Sequence, residues 1–418
     1  MRRTLAILAV VLLAACDGRT DVARGAPAGA QGESNAAEKR HDLAEQRDAA
    51  KQGDDSAQGE RPPASSAEAD STRLGALRAS TLPAGFELVT APKPFEFPRD
   101  HGPHPAFRHE WWYVTGHLDT PSGEPFGFEL TFFRFALKPL VPAPAEPQSA
   151  WRARQIYMAH FAVSDIDRKQ FLVSERFARD ALGLAGAQAD PFRVSLDDWS
   201  LAATADSKAW RLVATDKGYA LDIEMDPSAP LMLNGDAGFS RKSDAEGAAS
   251  YYYSVPRMSA HGKLTRNGQA LDVRGTVWLD REWGSGALGA DQQGWDWFAL
   301  QLDDGSALMF YALRKHSGER DAHSAGTWLS PGGKTLALSN EDVQIDSTAE
   351  WTSPRGTRYP ARWHLRVPKL ALDVDIQPRL ANQELNTSTR YWEGASLVKG
   401  TRENKAIEGK AYVELVGY

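Results

Sequence analysis

Downstream of residue 86 the chain is patterned with a period of two. Phe126, Phe128, Leu130 and Phe132 alternate with Gly127, Glu129, Thr131 and Phe133. Trp295, Trp297, Ala299 and Gln301 alternate in the same way with Asp296, Phe298, Leu300 and Leu302. Successive side chains of a strand point to opposite faces, so these runs predict β-strands. Turn sequences such as Pro121-Ser122-Gly123 and Asp303-Asp304-Gly305 close them off. Helical spacing is scarce, and residues 174–184 are the best short candidate. One pattern occurs twice: an aromatic strand ending in Leu-Asp, a glycine turn, then an apolar strand ending in arginine. It covers residues 112–134 and again 295–314. The repetition predicts a duplicated β-domain, with the division drawn at 243/244 and the domains covering 86–243 and 244–418. Two aromatic-rich antiparallel units of this size predict closed or nearly closed barrels, each able to enclose a small ligand.

Upstream the pattern disappears. Residues 17–85 contain no aromatic residue and consist largely of Ala, Gly, Ser and charged side chains. Such a composition cannot bury enough apolar surface to offset chain entropy, so residues 16–85 are expected to be a disordered tether. A flexible coil of that length spans roughly 45 Å. Before it, Arg2 and Arg3 precede an apolar run over residues 5–15, too short for a finished transmembrane helix and shaped like an export signal. Leu13-Ala14-Ala15-Cys16 resembles a bacterial lipobox, which makes residues 1–15 a lipoprotein signal peptide and Cys16 the lipidated residue. Cys16 is the single cysteine of the chain, so disulfides and thiolate metal sites are excluded. The expected setting is the bacterial envelope, lipid-anchored and facing the periplasm. Asp17 favours retention at the inner membrane, and the outer membrane stays open. The formal net charge is −7, and no basic cluster with interleaved aromatics occurs, which argues against a nucleic-acid partner.

His109-Glu110-Trp111-Trp112-Tyr113 opens like the zinc signature HExxH, but its fifth position is tyrosine. That signature needs a helix, and this segment has strand composition. On a strand His109, Trp111, Tyr113, Thr115 and His117 share one face, while Glu110, Trp112, Val114, Gly116 and Leu118 share the other. No metal or other cofactor is expected. A buried Glu110 needs an ionic or hydrogen-bonding partner, and Arg134 at the end of the neighbouring strand is the natural one. Asp296 or Glu282 could pair with Arg314 by the same logic. There is no G-x-S-x-G elbow, and Ser285 reads as a turn serine, so serine hydrolysis is not supported.

Several segments carry a family resemblance in serial order. They are residues 104–116, 127–134 and 159–165, Trp278-Leu279-Asp280-Arg281-Glu282-Trp283-Gly284, Gly294-Trp295-Asp296-Trp297-Phe298, Tyr391-Trp392-Glu393-Gly394 and residues 412–418. Together they resemble the AttH-like lipocalin family, often labelled "predicted secreted hydrolase" and related to carotenoid 1,2-hydratase. The resemblance covers the chain from about residue 92 onward. It implies an all-β fold of two tandem lipocalin-like antiparallel β-barrel domains. It also places Asp280 where the hydratase has its acid. Hydration of an isolated double bond needs a proton donor and a surface that stabilises the carbocation. A carboxylic acid kept neutral by an apolar pocket supplies the first, and aromatic faces supply the second. Tyr251, Tyr253, Trp278 and Trp283 are the expected cavity walls. This chain departs from the hydratase pattern at Trp278, where the hydratase has tyrosine, and near Tyr251 and Tyr253, where it has histidine and tryptophan.

Two functions stay open at this level. One is a lipid-anchored binding protein that holds a hydrophobic small molecule or lipid and serves a membrane transporter. The other is a hydro-lyase, not a hydrolase, adding water to a terminal isoprenoid double bond with Asp280 as general acid.

Overall fold

The structure, a computed structural model, describes residues 84–139, 153–206, 208–228, 230–286 and 288–418, which fall in one compact unit. The expected signal peptide, Cys16 and nearly all of the expected tether lie outside the described residues. The chain forms two curled antiparallel sheets, a barrel and a half-barrel.

The first sheet has thirteen strands. They are β1 (His109–Asp119), β2 (Pro125–Ala136), β3 (Gln155–Asp165), β4 (Gln170–Arg179), β5 (Ala185–Ala189), β6 (Phe192–Leu196), β7 (Trp199–Ala203), β8 (Trp210–Asp216), β9 (Tyr219–Met225), β10 (Met232–Leu233), β11 (Phe239–Arg241), β12 (Ala249–Arg266) and β13 (Gln269–Gly284). The second has ten. They are β14 (Gln292–Leu302), β15 (Ala307–Lys315), β16 (Ala325–Leu329), β17 (Thr335–Leu338), β18 (Gln344–Thr352), β19 (Arg358–Val367), β20 (Leu372–Pro378), β21 (Glu384–Asn386), β22 (Arg390–Arg402) and β23 (Lys405–Val416).

The expected repetition is visible in the topology. Each sheet begins with a four-strand meander, and its first strand pairs on the other side with the sheet's last strand: β1 with β13, and β14 with β23. The sheets change over between Gly284 and Gln292, downstream of the expected division at 243/244. The physical reason is pairing: β12 and β13 carry a long register against each other, and β13 also pairs along the whole of β1, which ties residues 249–284 to the first sheet. Residues 170–179 are strand β4 rather than the short helix the spacing of 174–184 allowed, because their backbone pairs continuously with β3.

Each sheet curls round its own apolar core. Trp112, Phe128, Phe161, Trp199 and Trp283 are among the side chains filling the first, and Phe298, Trp328, Trp363 and Trp392 the second. Both interiors are therefore packed with side chains. At the start of β1 the first core contains a buried ionic network. Arg134 Nε and Arg281 Nη2 both contact the Glu110 carboxylate, the latter at 2.9 Å, and the guanidinium of Arg281 lies 4.0 Å from the centre of the Trp112 ring. The corresponding pair in the second sheet is Arg314–Asp296 at 2.8 Å, while Glu282 turns instead to Lys242.

The outer faces of the two sheets pack on each other through a third apolar layer that includes Tyr113, Tyr252, Trp278, Trp297, Met309 and Tyr412. The approach is close at Gly127, where a Cβ would come within 2.5 Å of the Cβ of Ala395 across the seam. Gly127→Ala should therefore overpack the seam and lower stability by about 1–3 kcal/mol. Gly332→Ala, where the added atom meets nothing within 4 Å, should change it by less than about 0.5 kcal/mol. Urea unfolding midpoints compare the two; equal midpoints would show that the sheets are not held this closely.

Candidate active site

Period-two geometry delivers one face of β1, β2, β12 and β13 to the seam. Register aligns Tyr113 with Asp280, Trp111 with Glu282, Ser254 with Asp280 and Tyr252 with Glu282, so these residues share a face. From the other sheet β14 sends Trp295 and Trp297, β15 sends Tyr311, β22 sends Tyr391 and β23 sends Glu414. Between them lies a cavity of about 170 Å³, lined mostly by apolar atoms, with Asp280, Glu282, Glu414, Lys242 and His109 as its acidic and basic groups. The cavity thus lies between the sheets, not inside either barrel. The barrel interiors are packed with their own large apolar side chains.

Asp280 is buried, and among the described residues the groups that act most on it include no cation. Its Oδ1 accepts hydrogen bonds from Ser254 Oγ at 2.6 Å and from Trp278 Nε1 at 2.7 Å, while its Oδ2 accepts one from the Tyr252 hydroxyl. These donors are themselves held. Asn234 Nδ2 donates to Ser254 Oγ at 2.9 Å, and Trp297 Nε1 donates to the Tyr252 oxygen at 3.0 Å. Burial outweighs the three hydrogen bonds and pushes the Asp280 carboxyl up to about 7, with Glu282 adding to the rise. The neighbouring arginines are engaged elsewhere: Arg281 with Glu110, and Arg257 with the carbonyls of Leu302 and Ser306. Two donors occupy Oδ1 and one occupies Oδ2, so a proton is best accommodated on Oδ2.

More carboxyls surround the same seam. Glu414, whose Oε2 accepts Trp295 Nε1 at 3.2 Å, is pushed up to about 8 by burial and by the neighbouring Glu129, Asp280 and Glu282. Glu393, behind the cavity wall, accepts the Tyr113 hydroxyl at 2.6 Å and is raised well above the usual range by burial, Glu129 and Glu414. Lys242 is the cation of the cavity. It pairs with Glu282 at 3.1 Å and sits 3.9 Å from the Tyr311 ring centre.

Of the residues singled out from sequence, Asp280 faces the cavity and Trp278 stands behind it as a hydrogen-bond donor. Tyr251, Tyr253 and Trp283 are not cavity walls. Their parity is opposite to that of Asp280, which sends them into the first core. There the Tyr253 hydroxyl meets His101 Nδ1 at 2.6 Å and Tyr251 donates to the Ala91 carbonyl. The walls are instead Tyr252, Tyr113, Trp111, Trp295, Trp297 and Tyr311. Alternation along β13 alone separates Trp283 from Asp280, a signal the sequence carried. Glu414 and Tyr391 had no such signal, because they reach the cavity from the other sheet.

The histidines are spread through separate contacts. His104 is stacked on Trp283 and bonded to Asp100 and Glu110, His117 meets the Ala411 carbonyl, and His160 lies between Tyr391 and Glu175. Among the described residues no three His, Cys, Asp or Glu side chains are grouped to hold a metal ion. Ser285 Oγ donates to the Glu87 carbonyl and accepts from the Arg108 amide, a joint between the N-terminal segment and the end of β13.

Comparison with known proteins places these features in a lineage. The family model described as AttH-like matches residues 88–418. Among solved structures the chain is similar to the AttH protein of Nitrosomonas europaea, with 36% identity and a TM-score of 0.71, covering 80% of this chain and 100% of that one. It shares its fold with kievitone hydratase of Nectria haematococca, with 16% identity and a TM-score of 0.60, covering 81% of this chain and 98% of that one. The dehydratase asqC of Emericella nidulans is 22% identical over 223 residues, 49% of this chain and 60% of that protein's length.

The neutral acids at the seam give a pH dependence with a definite sign. Glu393 and Glu414 hold protons in the folded protein that they release when unfolded, so their contribution to stability is lost as pH rises towards and through their folded values. The melting temperature should fall between about pH 7 and 9, above the range in which the histidines titrate. Glu393→Gln, which keeps a neutral side chain at every pH, should flatten that slope. A melting temperature that is level or rises across this window in the wild type would contradict the assignment.

Proposed function

The chain belongs to the AttH-like family, and we propose that it is a hydro-lyase that adds water to, or removes it across, a carbon–carbon double bond of a hydrophobic substrate held between its two sheets. The observation that carries this reading is Asp280: a buried carboxyl with no cationic partner among the described residues, oriented by three donors, in a cavity walled by indole and phenol rings. A hydratase sharing the fold and a dehydratase partly similar in sequence support the same chemistry, run in opposite directions.

In the hydration direction, Asp280 transfers its proton to the less substituted alkene carbon, and the π electrons form the new C–H bond. The positive charge on the other carbon faces the aromatic walls, where cation–π attraction contributes about 1–2 kcal/mol per well-placed ring. Water adds to that carbon and gives up its extra proton, and Asp280 is reprotonated before the next turnover. Dehydration is the reverse. A terminal isoprenoid double bond suits this route because protonation leaves a tertiary cation. On this reading the hydrophobic ligand expected from the sequence is a substrate rather than a cargo. The anchor expected at Cys16 would hold the enzyme beside membrane-dissolved substrate, and the proposal requires no transporter.

Purified protein assayed on acyclic terpenoid alkenes and their tertiary alcohols should show hydration or dehydration, and Asp280→Asn should lower kcat by about 10²-fold or more. The acid must be protonated to act, so kcat/KM should fall about tenfold per pH unit above about 7, the value to which the Asp280 carboxyl is raised. Equal turnover by wild type and Asp280→Asn would remove Asp280 from the mechanism.

A further inference from the structure

A second hydrogen-bonded chain reaches the cavity from the side opposite Asp280's support. Tyr391, on β22, lines the cavity. Its hydroxyl lies 2.6 Å from His160 Nδ1 on β3 and 3.0 Å from Glu129 Oε1 on β2. His160 Nε2 lies 2.9 Å from Glu175 Oε1 on β4, and Glu175 also accepts Ser388 Oγ at 2.6 Å. His160 is fully buried, whereas the Glu175 side chain is 17% exposed. Thr131 Oγ1, another cavity-lining group, donates to Glu129 Oε1 at 2.8 Å. The line therefore runs unbroken from a solvent-touching carboxylate, through the seam, to the cavity wall.

We propose that Glu175, His160 and Tyr391 form a proton relay between solvent and the cavity, with Tyr391 as the second acid–base group opposite Asp280. This rests on the hydro-lyase reading. The polarity of the chain follows from its ends. Glu175 is partly desolvated, which raises its carboxyl, but the hydrogen bonds from His160 and Ser388 hold it below the usual range as an acceptor. It therefore takes the Nε2–H of His160, leaving the Nδ1 lone pair for the Tyr391 hydroxyl proton. Glu129 Oε1 is a second acceptor within reach of the Tyr391 hydroxyl, at 3.0 Å, and burial raises its carboxyl. The groups facing His160 are Glu175 from β4, Tyr391 from β22 with Glu129 behind it, and the ring of Phe133 from β2.

In hydration the Asp280 proton goes to the less substituted alkene carbon, and the π electrons form the new C–H bond. A water oxygen then bonds the cationic carbon. Its extra proton passes to the Tyr391 oxygen as the Tyr391 hydroxyl proton moves to His160 Nδ1. The resulting imidazolium stands beside the Glu175 carboxylate and releases one proton to solvent, while Asp280 takes one back. The cycle is balanced, and no oxidant or reductant is needed. Tyr391 is the catalytic member, and His160 and Glu175 act through it.

Two measurements test the relay. In substrate-free protein labelled with ¹⁵N-histidine and assigned with His160→Gln, His160 should be the Nε2–H tautomer with Nδ1 as acceptor. Tyr391→Phe should shift Nδ1 and leave Nε2 bonded. A protonated Nδ1 with a bare Nε2 would overturn the proposal, whether or not a substrate is in hand. With linalool, an acyclic tertiary terpenoid alcohol, as probe, Tyr391→Phe and His160→Gln should each lower kcat by about 10²-fold with KM within about twofold. A packing defect would move KM and the melting temperature together. If Asp280→Asn abolishes turnover while both relay variants keep wild-type kcat, the relay is wrong and the hydro-lyase reading stands. If Asp280→Asn keeps full turnover, that reading falls by itself.

Discussion

Removal of water from the seam between the two sheets is the constraint on which the rest of this structure depends. A curled sheet ordinarily buries its inner face and leaves the outer one wet. Here the outer faces of β1, β2, β12 and β13 meet those of β14, β15, β22 and β23, so the stretches of these strands at the seam are buried on both sides. The contact is specific as well as apolar. Tyr113 reaches Glu393, Ser164 reaches Gln383, Thr276 reaches Gln301 and Lys410 reaches Asp119, each across the seam. Small residues set the spacing where Gly127 meets Ala395. The cavity is the part of the seam that the side chains leave unfilled.

Desolvation acts in opposite ways on two sets of acids. Glu110 lies on the inner face with Arg134, Arg281 and His104 around it. Burial raises its carboxyl, but the two guanidiniums and the imidazole outweigh that and hold it well below the usual carboxylate range. Asp280, Glu393 and Glu414 lie at the seam, where their partners are hydroxyl and indole donors, and burial dominates. The same chemical group is thus an ionised strut on one side of β1 and β13 and a neutral acid on the other. Removing a guanidinium from the first set would leave a buried charge, a structural loss. The second set holds protons at the cavity, which is why the proposed chemistry is placed there.

The two halves share the pattern that builds such a seam. Each half begins with an aromatic hairpin, closes its meander with a long final hairpin, and carries a carboxylate–arginine pair on its inner face near the start of its first strand: Glu110–Arg134 and Asp296–Arg314. The outer aromatic positions of one half find those of the other. Tyr113 lies edge-on to Trp297 at 5.1 Å, and Trp278 to the same ring at 6.1 Å. The two halves then diverge in function. The first presents Asp280, while the second contributes Trp297, Glu414 and Tyr391.

The sequence by itself determined the strands, because period-two alternation and turn residues are local and survive without any knowledge of neighbours, while its serial motifs carried the family resemblance. It also marked Asp280 as an acid in aromatic company and matched Glu110 with Arg134, since facing positions in a hairpin are close in sequence. It could not decide which face of β12 and β13 met a second sheet, so Tyr251, Tyr253 and Trp283 were indistinguishable from true cavity walls until the register sent them inward. Nor could it bring Glu414 or Tyr391 to Asp280, because those residues arrive from strands more than a hundred positions away. A carboxyl's proton affinity is set by what surrounds it in space. The Asp280 carboxyl is raised to about 7 because the tertiary structure turns Arg281 to Glu110, turns Arg257 to backbone carbonyls, and covers what remains with a second sheet.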